Sequence, residues 1–411
     1  MTDVTRRGFA KRSMLAVALT GTSAWWRCGE DDRQPPRTMS KCLSMASIAH
    51  GGEPEDLTVG SNLDRVLETG ARWVRIWIRW DKAQPLPPTQ LSIAELANPA
   101  NDVPGCGTGC GFRYVQAIDA QVTAAREAGL GVILAAWNFP GWANGTQGMP
   151  ADWAREDRGG PSTPVERLKP MEFRVPIGQL APDGHYGRWL DWLVTRYAHH
   201  GREFVLEIVN EPNHQLWPQR DPSGTLVMGD YVAEMIATTR AVSAAHGDPI
   251  LLAGPALADR SGADSRLMTS FETLVPEILT RLDQRGFPQA PSFVWTHHNY
   301  ADVERDVRSS TGAERVRGHL VGRWRGRGGP ADPKVWLTEG GARLGSGLTV
   351  DLAAQAELVR RNWRRMRDAD GIEMWTNYLL YANPVADSGL RESRESGGAP
   401  RPVWDVFRAL G

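Results

Sequence analysis

Short apolar runs recur along the chain, each closed by a polar or turn-forming residue and most followed by a segment of helical periodicity. They end near Ser47, Trp80, Trp137, Glu211, Pro255, Tyr300, Glu339 and Leu379. In the run after Gly70, Val74, Ile76 and Ile78 fall on one face of a strand and Trp73, Arg75, Trp77 and Arg79 on the other. The aliphatic set can then meet a helix layer while the second set points into a barrel, with Arg75 buried among polar partners. Between runs, Leu352, Gln355, Val359, Trp363 and Met366 keep to one helical face, as do Tyr231, Met235, Thr239 and Val242. Eight strand and helix units in succession predict an α/β fold, a single (β/α)8 TIM barrel. A doubly wound sheet also alternates in this way, but it calls for a Gly-rich phosphate turn after the first strand, and none follows.

Two connections exceed what a barrel requires, Lys82 to Gly111 after strand 2 and Phe139 to Gly184 after strand 3. Both lie on the face where barrel sites form, and Trp142, Trp153 and several prolines predict ordered walls of a cleft. From residue 41 to 411 there is no linker or repeat, so this stretch reads as one catalytic domain. Ahead of it, Thr5-Arg-Arg-Gly-Phe-Ala-Lys11 and the apolar stretch from Met14 to Ala24 resemble a twin-arginine export signal covering residues 1–24, with 25–40 as a linker. A bilayer span needs about 20 apolar residues, so no stable membrane insertion is expected. The implied location is secreted or in the periplasm or cell envelope, with the twin-arginine (Tat) export machinery as a partner. Four cysteines suit an exported protein with few bridges. Cys106 and Cys110 share a Gly-rich loop where a local disulfide closes easily, and Cys42 is expected to be buried and reduced.

Composition narrows the partners. With 411 residues and a formal net charge of -1 the chain is no polyelectrolyte, so nucleic acid is not expected, and the basic stretch Arg315–Arg327 reads as a solvated helix and loop. Seventeen Trp are unusual, and an indole outside the core is a flat platform for a ligand ring such as a sugar.

The candidate chemistry lies in Phe204-Val-Leu-Glu-Ile-Val-Asn-Glu-Pro-Asn213 and Lys334-Val-Trp-Leu-Thr-Glu-Gly-Gly341. Each is an apolar strand broken just after a glutamate, which places Glu211 and Glu339 across one cleft at the C-terminal face of a barrel. Retaining glycoside hydrolysis uses such a pair, one carboxyl attacking the anomeric carbon while the other protonates the leaving oxygen and later deprotonates water. Glu211 is assigned acid/base and Glu339 nucleophile. Burial and the second carboxylate are expected to raise the acid's pKa, with hydrogen bonds from Arg or Tyr keeping the nucleophile ionised.

These residues resemble glycoside hydrolase clan A, and within it family 5, a group rich in cellulases, from about Cys42 to Ala409. The resemblance implies that Asn210-Glu211-Pro212 supplies the acid/base, with Asn210 holding the sugar 2-hydroxyl. It further implies that Tyr300 of His298-Asn299-Tyr300 hydrogen-bonds the nucleophile Glu339, that Arg75 supports that carboxylate, and that Trp375 floors the subsite. The family commonly carries a His at the end of strand 3, whereas this chain reads Ala135-Ala-Trp-Asn-Phe139, so Trp137 or Asn138 takes that place. Xylosidase-like and furanosidase-like families of the clan therefore stay open. The implied partner is a carbohydrate substrate, with no cofactor. A metal-dependent barrel hydrolase is disfavoured because the first strand offers no His-x-His to join His297 and His298. A carbohydrate-binding barrel without catalysis is the remaining alternative.

Overall fold

The structure is a computed structural model that describes residues 39–45, 56–101, 103, 110–144, 177–214, 217, 219, 220, 224–260, 262, 264, 268–286, 293–305, 310–324, 332–383 and 387–411. The proposed export signal, its linker, Cys106 and Trp153 lie outside the described residues. Eight strands close into an all-parallel barrel in sequence order: β1 Ser40–Met45, β2 Trp73–Arg79, β3 Gly131–Trp137, β4 Phe204–Ile208, β5 Leu251–Leu257, β6 Phe293–His298, β7 Val335–Glu339 and β8 Ile372–Asn377. The ring closes through β1 and β8, where Ser40 pairs with Met374 and Leu43 with Asn377. No helix among the described residues is long and apolar enough to cross a membrane.

The alternation read in β2 holds. Val74, Ile76 and Ile78 join the large apolar layer between strands and helices, while Trp73 and Trp77 belong to two small clusters inside the barrel. The lower cluster (Cys42, Ile133, Val205, Leu251, Ala253, Trp336 and Met374) plugs the floor. Trp77, Ala135, Tyr378 and Leu379 form the upper one, with Trp137 and Tyr300 packed against it. Polar side chains occupy the level between them.

The helix layer also follows its pattern. In the helix Leu352–Asp368, Gln355, Val359, Trp363 and Met366 are buried, and the Asp351 carboxylate caps the first turn by accepting from Ala354 N at 2.7 Å. Met235, Thr239 and Val242 are buried in the helix Met228–Ala245, with Tyr231 half-buried. On the helix Gly312–Trp324, Arg315, Arg317 and Arg323 pair with Glu272, Asp332 and Asp283, so this basic stretch is balanced by neighbouring acids.

A wall of packed aromatics stands where the two long connections meet. Trp80 stacks on Trp189, meets Phe139 and Trp142 edge to face or tilted, and donates its indole N–H to Gln84 at 2.9 Å. Trp142 donates to the carbonyl of Gln84 at 2.9 Å, which ties the connection after β3 to the one after β2. Cys110 is disulfide-bonded, its partner lying outside the described residues, and Cys42 is a buried free thiol.

Behind β6, Asp302 packs against Asp259 and accepts the N–H groups of Gly312 at 2.7 Å and Ala313 at 3.2 Å. Burial first, then the Asp259 charge, push the Asp302 carboxyl up to about 7 against those hydrogen bonds. A carboxyl whose folded pKa is raised binds more protons folded than unfolded between about pH 4 and 7, so its contribution to stability declines as pH rises through that window. Thermal melting from pH 4 to 8 is expected to show this loss, and Asp302→Asn, which keeps an acceptor without the charge, to flatten it. An unchanged pH slope in Asp302→Asn would contradict the assignment.

Candidate active site

β2 delivers Arg75 to the middle of the barrel, fully buried. Its Nε donates to Glu207 Oε2 at 2.6 Å, Nη1 to Glu339 Oε1 at 2.5 Å and Nη2 to Asn210 Oδ1 at 3.1 Å, and its guanidinium lies 4.2 Å from the centre of the Trp77 ring. Burial works against the charge, but Glu207 and Glu339 outweigh it and hold the guanidinium proton more tightly than usual. Glu207 was not singled out in the sequence. Its one signal was a carboxylate in the middle of a strand, Phe204–Ile208, that is otherwise wholly apolar.

β4 ends at Ile208, three residues before the glutamate it was expected to end on. Beyond it Val209 (φ 62°) and Glu211 (φ 45°) take left-handed backbone conformations, unfavourable for a β-branched and a long side chain. Bridges to β5 hold the strained turn, with Glu211 N donating to Ala256 O at 2.7 Å and Ala256 N to Val209 O at 3.0 Å. The buried Trp217 donates its indole N–H to the carbonyl of Asn210 at 2.8 Å. This turn aims Asn210 and Glu211 into the site, although they are adjacent in sequence.

β6 and β7 bring the other half. A register shift between His297 and His298 sends His297 outward against Phe271 and His298 inward. Gly340 follows Glu339 where a Cβ would stand 1.9 Å from the Asn299 amide, so only glycine lets β7 end here. Tyr300 donates its hydroxyl to Glu339 Oε2 at 3.3 Å. Burial, then the Glu339 charge, keep the Tyr300 phenol well above its ordinary pKa, so it stays a donor.

His298 stands between the two acids. Its Nδ1 is 2.9 Å from Glu211 Oε1 and 3.6 Å from Glu339 Oε2, and a ligating atom of each of the three residues lies within 4.8 Å of those of the other two. Burial acts to deprotonate His298, but Glu339 and then Glu211 outweigh it and raise its pKa. Burial likewise acts to raise Glu211, yet the hydrogen bond and charge of His298, then His214 and Arg75, bring it down to about 2. The expectation of a raised acid is thus reversed, because the His298 imidazole faces the carboxyl at hydrogen-bond distance.

The structure brings together Arg75, Asn210, Glu211, His298, Tyr300 and Glu339. Trp137 is half-buried at the cleft, edge-on to Trp77 at 5.2 Å with Arg79 over its ring. Asn138 has φ 62° and its carbonyl accepts from Asp81 N at 3.1 Å, so its backbone pins the connection after β2; among the described residues no hydrogen bond links it to Glu211 or Glu339. Trp375 does not floor the site. In β8, Met374 points inward, so its neighbour on the opposite face of the strand turns out to the helices. There Trp375 is fully buried, donates to Asn362 Oδ1 at 2.8 Å and packs on Trp363 and Phe407. Trp142 and Trp217 are half-buried and buried props of the loops.

No family model matches the sequence, and no curated protein matches it. Solved structures share the fold. XacCel5A, solved in complex with cellopentaose, is 11% identical over 91% of this chain and 99% of its own, with a TM-score of 0.53. A GH39 β-xylosidase from Caulobacter crescentus is 14% identical over 91% of this chain and 71% of its own, at 0.55. A Bacteroidetes-affiliated GH5 cellulase linked with a polysaccharide utilization locus is 16% identical over 91% and 90%, at 0.51. The barrel is therefore one that glycoside hydrolases use, including the family whose motifs this sequence resembles.

Removing one partner from a buried ion pair costs about 3–5 kcal/mol, because the remaining charge has neither partner nor water. Arg75→Met strands two acids, so urea unfolding is expected to show a loss of at least that size. A midpoint within experimental error of the wild type would contradict the role given to Arg75.

Proposed function

We propose that the chain is a retaining β-glycoside hydrolase that cleaves O-glycosidic bonds of a β-linked oligo- or polysaccharide by double displacement. One observation carries the reading: carboxylate oxygens of Glu211 and Glu339 lie within 4.8 Å of each other across the barrel mouth. Retention uses carboxyls about 5–5.5 Å apart, whereas inversion leaves about 6.5–9.5 Å to seat a water.

Glu339 has the nucleophile's surroundings, with Arg75 on one oxygen and Tyr300 on the other holding it in a fixed orientation. It attacks the anomeric carbon, the glycosidic bond breaks, and the leaving oxygen takes a proton from Glu211. Water, deprotonated by Glu211, then attacks the same carbon and releases Glu339, so two inversions give retention. Asn210 presents its amide N–H groups to the sugar because Arg75 occupies its Oδ1.

The proton's resting place couples to this cycle. His298 holds it chiefly because Glu339 is charged. As Glu339 forms its ester that charge disappears, which favours passing the proton through the 2.9 Å contact to Glu211 and on to the leaving oxygen. When the ester is hydrolysed the charge returns, and with it the imidazolium.

The close group of Glu211, His298 and Glu339 is also a set of three potential metal ligands. Against a metal-dependent hydrolase stands Arg75, a permanent buried cation 2.5 Å from Glu339, which a divalent ion would face at short range in a low dielectric. Arg6-Arg7 with Phe9, Lys11 and the apolar stretch after them support export by the twin-arginine machinery to the envelope or medium, where such polysaccharides are met.

The test is activity of the full chain on aryl β-glycosides and soluble polysaccharides. Glu339→Ala is expected to fall to background, and turnover near the wild-type rate in that variant would sink the proposal. Glu211→Gln is expected to lose about 10²–10⁴-fold in kcat on poor leaving groups, and far less on dinitrophenyl glycosides that depart without an acid. Chelation is expected to leave the rate unchanged.

The first step needs the shared proton, so kcat/KM is expected to fall as pH rises through a limb above the ordinary histidine value of 6.5. In His298→Asn, Glu211 must hold the proton alone and the alkaline limb is expected to move to lower pH. A pH profile with an unmoved limb would remove His298 from the proton path.

A further inference from the structure

Beside the catalytic pair lies a cleft of about 510 Å³ between the connections that follow β4, β5, β6 and β7. Glu211 lines it and Glu339 does not, so on the glycosidase reading it faces the acid and receives the leaving group. Its walls are polar and charged, unlike the aromatic surface of Trp77, Trp137 and Tyr378 inside the barrel mouth.

The charges sort into those already satisfied and those that are not. Arg343 donates to both oxygens of Glu304, at 2.6 and 2.8 Å, and its guanidinium lies 4.5 Å from the centre of the Tyr300 ring. That pair is neutral. The Asp259 carboxylate is turned inward, accepting from Asp302 N at 3.0 Å with only 4% of its side chain exposed. Arg260 and Arg305 remain. Both line the cleft and both are exposed, and among the described residues neither guanidinium has a hydrogen bond, ion pair or ring contact. They come from the ends of different units, one just beyond β5 and the other closing the short helix Tyr300–Glu304. Elsewhere on this surface arginines find acids, as Arg281, Arg285, Arg317 and Arg323 do.

We propose that this cleft is a subsite for an anionic leaving group, a sugar bearing a carboxylate or sulfate, held by Arg260 and Arg305. A guanidinium presents paired N–H groups that match the oxygens of either anion, and two of them lining one cleft supply charge that Glu211 and the neutral Arg343 and Glu304 pair do not cancel. The attraction also steers an acidic polymer toward the acid side of the cleft and weakens as salt is added. The proposal rests on the glycosidase reading only for which side of the bond this sugar occupies; the anion site itself does not.

Titration calorimetry on the full chain with glucuronate, glucose 6-sulfate and glucose tests it. At low salt the anionic sugars are expected to bind at least tenfold tighter than glucose. Arg260→Gln combined with Arg305→Gln is expected to abolish the difference, and the double Lys variant to keep part of it. The stronger of the two anions identifies carboxylate or sulfate as the preferred group. Equal affinity for glucose and the anions, or an anion preference that survives the Gln pair, overturns the subsite. Hydrolysis of neutral aryl glycosides, run alongside with Glu339→Ala, separates the two readings. Turnover dependent on Glu339 without anion preference overturns the subsite alone, and anion preference without turnover overturns the glycosidase reading alone.

Discussion

A permanently charged guanidinium without access to water sits at the middle level of this barrel, and the placement of Glu207, Asn210 and Glu339 follows from the need to satisfy it. Arg75 cannot shed its charge, so each of its directions must meet an acceptor. The acceptors come from two strands: Glu207 within β4, Asn210 just past its end and Glu339 at the end of β7. A side chain from β2 thus links the two strands, β4 and β7, that lead to Glu211 and Glu339. Glu207 takes one side of the guanidinium, so Arg75 is shared between two acids.

The second acid is governed by a different cation. His298 lies within reach of both carboxylates, and its charge depends on theirs. Two acids this close cannot both stay ionised without a counter-charge. The barrel supplies one that is permanent, on Glu339, and one that is removable, between the pair. Against burial, Glu339 is the strongest influence raising the His298 pKa, so the charge of the imidazole is tied to that of Glu339.

The long connections do less than their tryptophans suggest. Trp80, Trp142, Trp189 and Trp217 pack on one another, on Phe139 and on Tyr186, and so fasten the loops after β2 and β3 to each other and to the strained turn after β4. Rigid walls hold the turn at Val209 and Glu211 in conformations that an unsupported loop would relax out of. The aromatic surface left for a ligand is small, around Trp77, Trp137 and Tyr378. Across the mouth the cleft walls are charged instead.

The barrel, its strand order and the inward face of β2 were legible in the sequence, because alternation and helical period are set by local backbone geometry and each element here buries one face. Glu339 was legible for the same reason, as an acid that closes an apolar strand, and Glu211 as one that follows an apolar run, although β4 ends three residues before it. Trp375 was misplaced because a motif assigned it to the site, while period two in β8, pinned by Met374, sends it to the helix layer. Glu207 was missed because a buried acid becomes intelligible only beside its cation, and Arg75 lies 132 residues away. The reversed titration of Glu211 and the two unpartnered arginines of the neighbouring cleft belong with these. The sequence by itself determined which elements form and which face of each is apolar, since those depend on neighbours within a few residues. Only the tertiary structure decided which charges meet, because the energy of an ion pair depends on distance and water access between groups that the chain brings together from opposite sides of the barrel.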